Sequence, residues 1–281
     1  MLIGGISLLS IVLSALLCWG TGGFASLSWL WLLPCGFAGS FLCLAVLAFL
    51  TLWFFCTIVD LEKLQEKDSK FYRTMLHLFV DAVLPLARVK VKTQGLEKTP
   101  KDTRFLLVCN HIDILDPAFL LTCFRDSQLA FISKREVQSY FLVGKMMHKI
   151  LCQPINREND REALKTILKC IQILKEDKAS IAVFPEGYIH KDKKLHHFRS
   201  GVFKIATKTK VPIVVCTIRD TRFVLGKLKK LQPSSVEVRL LQVIEPEEYE
   251  NITTVDLAEQ IYQTMARDLG PDLVSQEEEK A

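Results

Sequence analysis

Residues 105–117 read Phe105-Leu106-Leu107-Val108-Cys109-Asn110-His111-Ile112-Asp113-Ile114-Leu115-Asp116-Pro117. The first five form a short apolar run of buried-strand length. The last two suit a helix start, since proline favours the first helical position and aspartate the cap before it. The stretch is therefore a strand–loop–helix unit. Similar runs recur at 88–92, 129–133, 151–155, 180–184, 213–218 and 236–244, with helical patterns between several of them. The clearest helix covers 160–174. There Ala163, Leu164, Ile167, Leu168, Ile171 and Leu174 make an apolar stripe, and Arg161, Glu162, Lys165, Lys169 and Lys175 fill the other face. Strands alternating with helices predict an α/β fold with a largely parallel sheet flanked by helices. The polar residues 276–281 are expected to fray.

Upstream the composition changes. Hydrophobic residues make up 49% and charged residues 24% of the 281, yet residues 1–59 contain no Asp, Glu, Lys, Arg or His. Charged groups are costly in a bilayer and ordinary on a water-facing surface, so this segment reads as membrane-embedded. Its apolar runs, about 2–19 and 33–59, flank the turn-prone Gly20-Thr21-Gly22-Gly23, with Trp19, Trp29 and Trp31 nearby. The reading is an N-terminal membrane helical hairpin, either spanning or monotopic. Lys63, Lys67, Lys70 and Arg73 follow it, which puts the chain's later part on the cytoplasmic side. A cleaved signal peptide is not expected, for want of a basic n-region. Residues 71–86 read as an amphipathic helix ending near Pro85, with core packing preferred to membrane docking. The organisation is thus 1–59 membrane segment, 60–87 amphipathic connector and 88–281 α/β domain.

A net charge of +5 suits an anionic membrane surface or phosphate-bearing substrates. The nine cysteines include no CxxC and no metal-ligand spacing, which points to free thiols in a reducing compartment. Short length and the lack of a targeting sequence point to a bacterial plasma membrane.

Three strand ends carry chemistry. At the first, His111 and Asp116 are five positions apart, about 140° on one helix, but a strand–loop–helix path can bring them together. A histidine held by a carboxylate is a usual general base. Its bland reading is a loop histidine and a helix cap. At the second, Arg157 follows a strand and can fork onto phosphate; a surface ion pair is the alternative. At the third, Pro185-Glu186-Gly187 makes a sharp turn whose glutamate can reach hydroxyls, or which is simply a turn. Downstream lie the basic residues Lys191, Lys193, Lys194 and Arg199, then a helix expected over 202–209. There is no P-loop or dinucleotide fingerprint, and no nucleic-acid partner is expected.

In this order the motifs resemble the lysophospholipid acyltransferase family, typified by 1-acylglycerol-3-phosphate acyltransferases. NHxxxxD matches Asn110-His111 through Asp116. An Arg-ending apolar strand matches Ile155-Asn156-Arg157, FPEG matches Phe184-Pro185-Glu186-Gly187, and a VPIVP-like strand matches Val211-Pro212-Ile213-Val214. The resemblance implies that His111 deprotonates the acceptor hydroxyl while Asp116 orients it. It implies substrate-binding roles for Asn110, Lys134, Arg157, Glu186 and Gly187. The implied partners are the lipid bilayer, a lysophospholipid acceptor and acyl-CoA or acyl carrier protein as co-substrate, with no cofactor and no metal. Tyr188-Ile189 stands where the family often has Thr-Arg, which keeps other acceptors open: glycerol 3-phosphate, another lysophospholipid or an ornithine lipid. Readings from other classes are a metal-dependent hydrolase using His190, His196, His197 and Asp192, and a catalytically idle membrane-binding protein.

Overall fold

The apolar stretch before His111 forms an inner strand of a mixed, mostly parallel seven-stranded sheet. This is a computed structural model, and it describes residues 2–276; residues 277–281 of the tail expected to fray lie outside the described residues. In chain order the strands are β1 (Val89–Gln94), β2 (Leu106–Cys109), β3 (Leu129–Lys134), β4 (Gln153–Ile155), β5 (Ser180–Val183), β6 (Ile213–Arg219) and β7 (Ser234–Ile244). Across the sheet they run β1-β7-β6-β2-β5-β3-β4. Among the described residues only β6 and β7 pair antiparallel, with Ile213 opposite Ile244. The other pairings are parallel, so β2, β3, β4, β5 and β6 all point one way. Their carboxyl ends therefore share one edge, where ligands bind in open α/β sheets.

Burial follows this order. β2 and β5 are buried at every position, as strands covered on both faces must be, whereas β7 largely alternates. Leu106 and Val108 of β2 point into one core layer, and Leu107 and Cys109 into the other. The fourth strand starts later than residue 151, because Leu151 takes a left-handed turn (φ 66°) and Cys152 fills the core.

The helices are α1 (Leu2–Gly20), α2 (Trp29–Thr57), α3 (Lys70–Leu86), α4 (Asp116–Cys123), α5 (Phe141–Lys149), α6 (Asp160–Lys175), α7 (Lys204–Thr209), α8 (Val224–Lys229), α9 (Pro246–Tyr249) and α10 (Thr254–Leu269). Helices α6, α7 and α10 cover one face of the sheet; α3, α4 and α8 cover the other. The side chain of Asn159 caps α6 by accepting from the Arg161 and Glu162 N–H groups. Within its expected stripe, Ile167 and Leu174 are buried but Leu164 and Leu168 stay exposed. The helix expected over 202–209 begins instead as a 3-10 turn, Ser200–Phe203, and becomes α-helical at Lys204.

Two N-terminal helices, 19 and 29 residues long, are apolar and long enough to cross a bilayer. They approach closely through small residues: a β-carbon on Gly36 would stand 3.2 Å from Ser14 Cβ. The last turns of α2 leave this pair and dock on the α/β domain. Leu52 and Cys56 are buried with Met146 of α5, and the Tyr72 hydroxyl donates to Phe55 O at 2.8 Å. The Lys145 ammonium donates to Val59 O. Helix α3 buries Tyr72, Arg73, His77 and Ala82 while leaving Phe71, Val83 and Leu86 exposed. Arg73 therefore does not act as a surface cation. Its guanidinium holds Asp68 at 2.6 Å and Leu129 O at 3.0 Å, tying the connector to the start of β3.

Candidate active site

Three of the aligned strand ends carry the residues singled out in the sequence. His111 follows β2, Glu186 follows the adjacent β5, and Arg157 follows β4 at the sheet's edge. Asp116 is the first residue of α4 rather than its cap. Its Oδ2 accepts from the backbone N–H groups of Ile112 and Asp113, each at 2.8 Å, and lies 2.8 Å from His111 Nδ1. Asp116 is fully buried, so the loop folds around its carboxylate. A carboxylate at Nδ1 fixes the proton there and leaves the Nε2 lone pair to act as base. The imidazole also stacks on Phe184, with ring centroids 4.1 Å apart and planes 16° from parallel. Ring tilt and tautomer are thus both set before any substrate arrives.

Asn110 serves this arrangement from behind. It is 1% exposed; its amide donates to Ile218 O (3.0 Å) and accepts from Ile218 N–H (2.8 Å). That closure pins the His111 loop to the end of β6 and buries the amide. Glu186 is placed likewise. It is 2% exposed, and its oxygens accept from the N–H of His111 (2.7 Å) and of His196 (3.3 Å). Burial outweighs those two hydrogen bonds and pushes its carboxyl up to about 8. Neither residue reaches toward a hydroxyl in the manner expected of a direct substrate contact. Lys134 is 61% exposed and pairs with Glu136 at 3.0 Å. It does not join the cavity.

The cavity, of about 280 Å³, opens beside Phe184. Its floor is apolar, from Ile132, Ile155, Leu164, Ile167 and Val183. Its rim is charged, with Arg157, Arg199 and Lys204 facing one carboxylate, Asp160. Gly187 borders it with φ +90°, a left-handed backbone that favours glycine. Strand-end logic finds Arg157 and Gly187. It misses Phe184 as the ring under His111, and Arg199 and Lys204 as rim cations. Nothing in their spacing marks them, beyond the general basicity of residues 191–199.

The downstream histidines engage other groups. His190 and His196 stack with centroids 3.4 Å apart, His196 Nε2 pairs with Asp192 at 3.0 Å, and His197 lies on Tyr262 at 4.8 Å. Among the described residues no group of His, Cys, Asp or Glu is gathered to hold a metal ion. All nine cysteines are free, six of them buried.

A family model described as Acyltransferase matches residues 90–219. A 1-acyl-sn-glycerol-3-phosphate acyltransferase of Chlamydomonas reinhardtii is 30% identical over 252 residues, 87% of this chain and 71% of that protein. The chain belongs to the lysophospholipid acyltransferase family. Two further relatives match over less of their length. The chloroplastic 1-acyl-sn-glycerol-3-phosphate acyltransferase BAT2 of Brassica napus is 33% identical over 155 residues, 53% of this chain and 44% of that one. A probable 1-acyl-sn-glycerol-3-phosphate acyltransferase of Mycoplasma pneumoniae is 34% identical over 173 residues, 60% and 62% of the two chains. The chain therefore spans less than two thirds of these two relatives. The crystal structure of the 1-acyl-sn-glycerophosphate (LPA) acyltransferase PlsC from Thermotoga maritima superposes with a TM-score of 0.59. It covers 80% of this chain and 94% of its own at 21% identity, a likeness of fold. The family match runs from β1 to the end of β6 and so contains all three strand ends.

Proposed function

We propose that the chain transfers a fatty-acyl group from acyl-CoA or acyl carrier protein to the sn-2 hydroxyl of 1-acylglycerol 3-phosphate, giving phosphatidic acid. The observation that carries this reading is the His111 Nδ1–Asp116 Oδ2 pair, 2.8 Å apart beside a cavity with an apolar floor and a basic rim. Nε2 of His111 removes the hydroxyl proton as the oxygen attacks the thioester carbonyl. The new O–C bond forms, the C–S bond breaks, and the proton passes to the departing thiolate. General-base catalysis contributes about 10²–10⁴-fold, so positioning must supply much of the remainder. Arg157 holds the acceptor phosphate, and Gly187 keeps the turn open beside it. Asn110 and Glu186 act on the catalytic loop from behind.

The apolar helices α1 and α2 hold the domain on the cytoplasmic face of a membrane, where both lipid substrates arrive. Exposed Phe71 and Phe141, whose rings pack on Phe55 and Trp53, lie at the docked end of α2 and suit contact with the bilayer surface. Thiol release from palmitoyl-CoA by detergent-purified protein, with and without lysophosphatidic acid, tests the reaction. Acceptor-dependent release supports it. Release only with glycerol 3-phosphate, another lysophospholipid or an ornithine lipid moves the assignment to that acceptor.

A further inference from the structure

Two guanidinium groups on the cavity rim have no hydrogen-bonded side-chain partner. Among the described residues, neither Arg157 nor Arg199 donates a side-chain hydrogen bond or forms a salt bridge. Arg157 is half-buried. Burial first, and then the positive charge of Arg199, holds its guanidinium below the ordinary arginine value. Like charges brought together in a partly desolvated cavity oppose each other until an anion joins them.

Arg199 is held at this point by the turn after β5. Its backbone N–H donates to Pro185 O at 2.9 Å. Its guanidinium lies over the Tyr188 ring, 5.9 Å from the centroid. Its side chain passes directly over Gly187, where a β-carbon would stand 3.0 Å from Nε. The same turn carries Phe184, whose ring stacks on His111. The turn after β5 thus touches both Arg199 and the general base His111.

We propose that Arg199 is a specificity-determining residue: with Arg157 it clamps a phosphate monoester on the acceptor and favours such acceptors over phosphodiester lysophospholipids. This rests on the reading of Arg157 as the phosphate-holding residue. A phosphate monoester carries about −1.5 to −2 charges near neutral pH and offers three acceptor oxygens. Two planar guanidinium forks match that charge and geometry. The three rim cations outnumber the nearby carboxylates Asp160 and Glu136 and leave net positive charge for it. A phosphodiester has one negative charge, and its second substituent occupies a direction from which one fork would approach.

The test uses the full chain in detergent, as wild type and as Arg199→Gln, Arg199→Lys and Arg157→Gln. Acceptor kinetics are measured with lysophosphatidic acid and with lysophosphatidylglycerol, and inorganic phosphate binding is measured by calorimetry. Arg199→Gln should raise KM for lysophosphatidic acid about 10–100-fold, as expected for loss of charge-assisted hydrogen bonds, with little change in kcat. The monoester-over-diester ratio of kcat/KM should fall at least about tenfold. Phosphate binding should weaken alongside, and Arg199→Lys should restore part of both effects. An unchanged KM in Arg199→Gln, or equal losses on both acceptors, would overturn the assignment. So would a raised KM for the acyl thioester alone, which would give the rim to the donor's phosphates. Arg199-dependent phosphate binding in a protein that acylates no monoester would sustain the clamp while removing the proposed reaction. Turnover of lysophosphatidic acid with phosphate binding indifferent to Arg199 would do the reverse.

Discussion

His111 is constrained from three sides. Asp116 bonds Nδ1, Phe184 supports the ring face, and Glu186 accepts from the backbone N–H. His111→Ala removes the proposed base and should leave the buried Asp116 loop bonds intact. Thiol release should fall about 10²–10⁴-fold while membrane association and thermal midpoint are nearly kept; near-normal turnover would sink the mechanism. Glu186 supports a second prediction. Its carboxyl is pushed up to about 8 by burial, from an ordinary value of 4.5. The folded state therefore retains a proton that the unfolded chain has already released. Wild-type stability should decline as pH rises from about 4.5 to about 8. Glu186→Gln keeps an uncharged group of the same shape, so its thermal midpoint should drop less between pH 5 and pH 8. Parallel curves for the two proteins would mean that Glu186 is already ionised at pH 5. The positions of His111, Asp116, Arg157 and Glu186 were legible because each ends or follows an apolar run. Their partners were not. Asn110 meets Ile218 across 108 residues, and Glu186 meets His111 across 75. Those contacts depend on β2 lying between β6 and β5, and no local periodicity encodes strand order.

Helix α5 joins the apolar N-terminal helices to the strand ends. Its Met146 packs on α2, Lys145 bonds Val59 O, and the chain leaving it becomes β4 and then Arg157. Gly144 lets this helix turn sharply after Tyr140. A β-carbon there would stand 2.2 Å from Gln138 O and 2.8 Å from Gln138 Cα. Backbone cannot yield as a flexible side chain does, so Gly144→Ala must shift α5. The cost should be about 1–3 kcal/mol, typical of overpacking, measured as a lowered midpoint in denaturant titration; a midpoint equal to wild type would show that α5 moves freely. Element existence was readable here because each strand and long helix keeps its own period. The docking role of α5 was not readable. Its partners lie on α2 and α3, and only tertiary packing decides which apolar face of a short helix meets which neighbour.

At the scale of the whole molecule, helix lengths favour a spanning over a monotopic hairpin, which a labelling experiment tests. Helix α1 has 19 residues, about 28 Å at 1.5 Å per residue. Helix α2 has 29 residues, but its last turns, with Leu52 and Cys56, are buried against α3 and α5. The free part, residues 29–49, measures about 31 Å. Both lengths match a hydrocarbon core of about 30 Å, whereas a shallow re-entrant pair would not need them. The turn at residues 21–28 should therefore emerge on the side opposite the catalytic domain. Leu27, 77% exposed in that turn, is the position to mark. With Cys35 and Cys43, the exposed thiols of α2, changed to serine, Leu27→Cys should react with a membrane-impermeant maleimide applied to sealed vesicles from the non-cytoplasmic face. Labelling from the cytoplasmic face alone would make the hairpin monotopic. Acyl transfer would then occur on a domain held by one leaflet, with both substrates drawn from that leaflet.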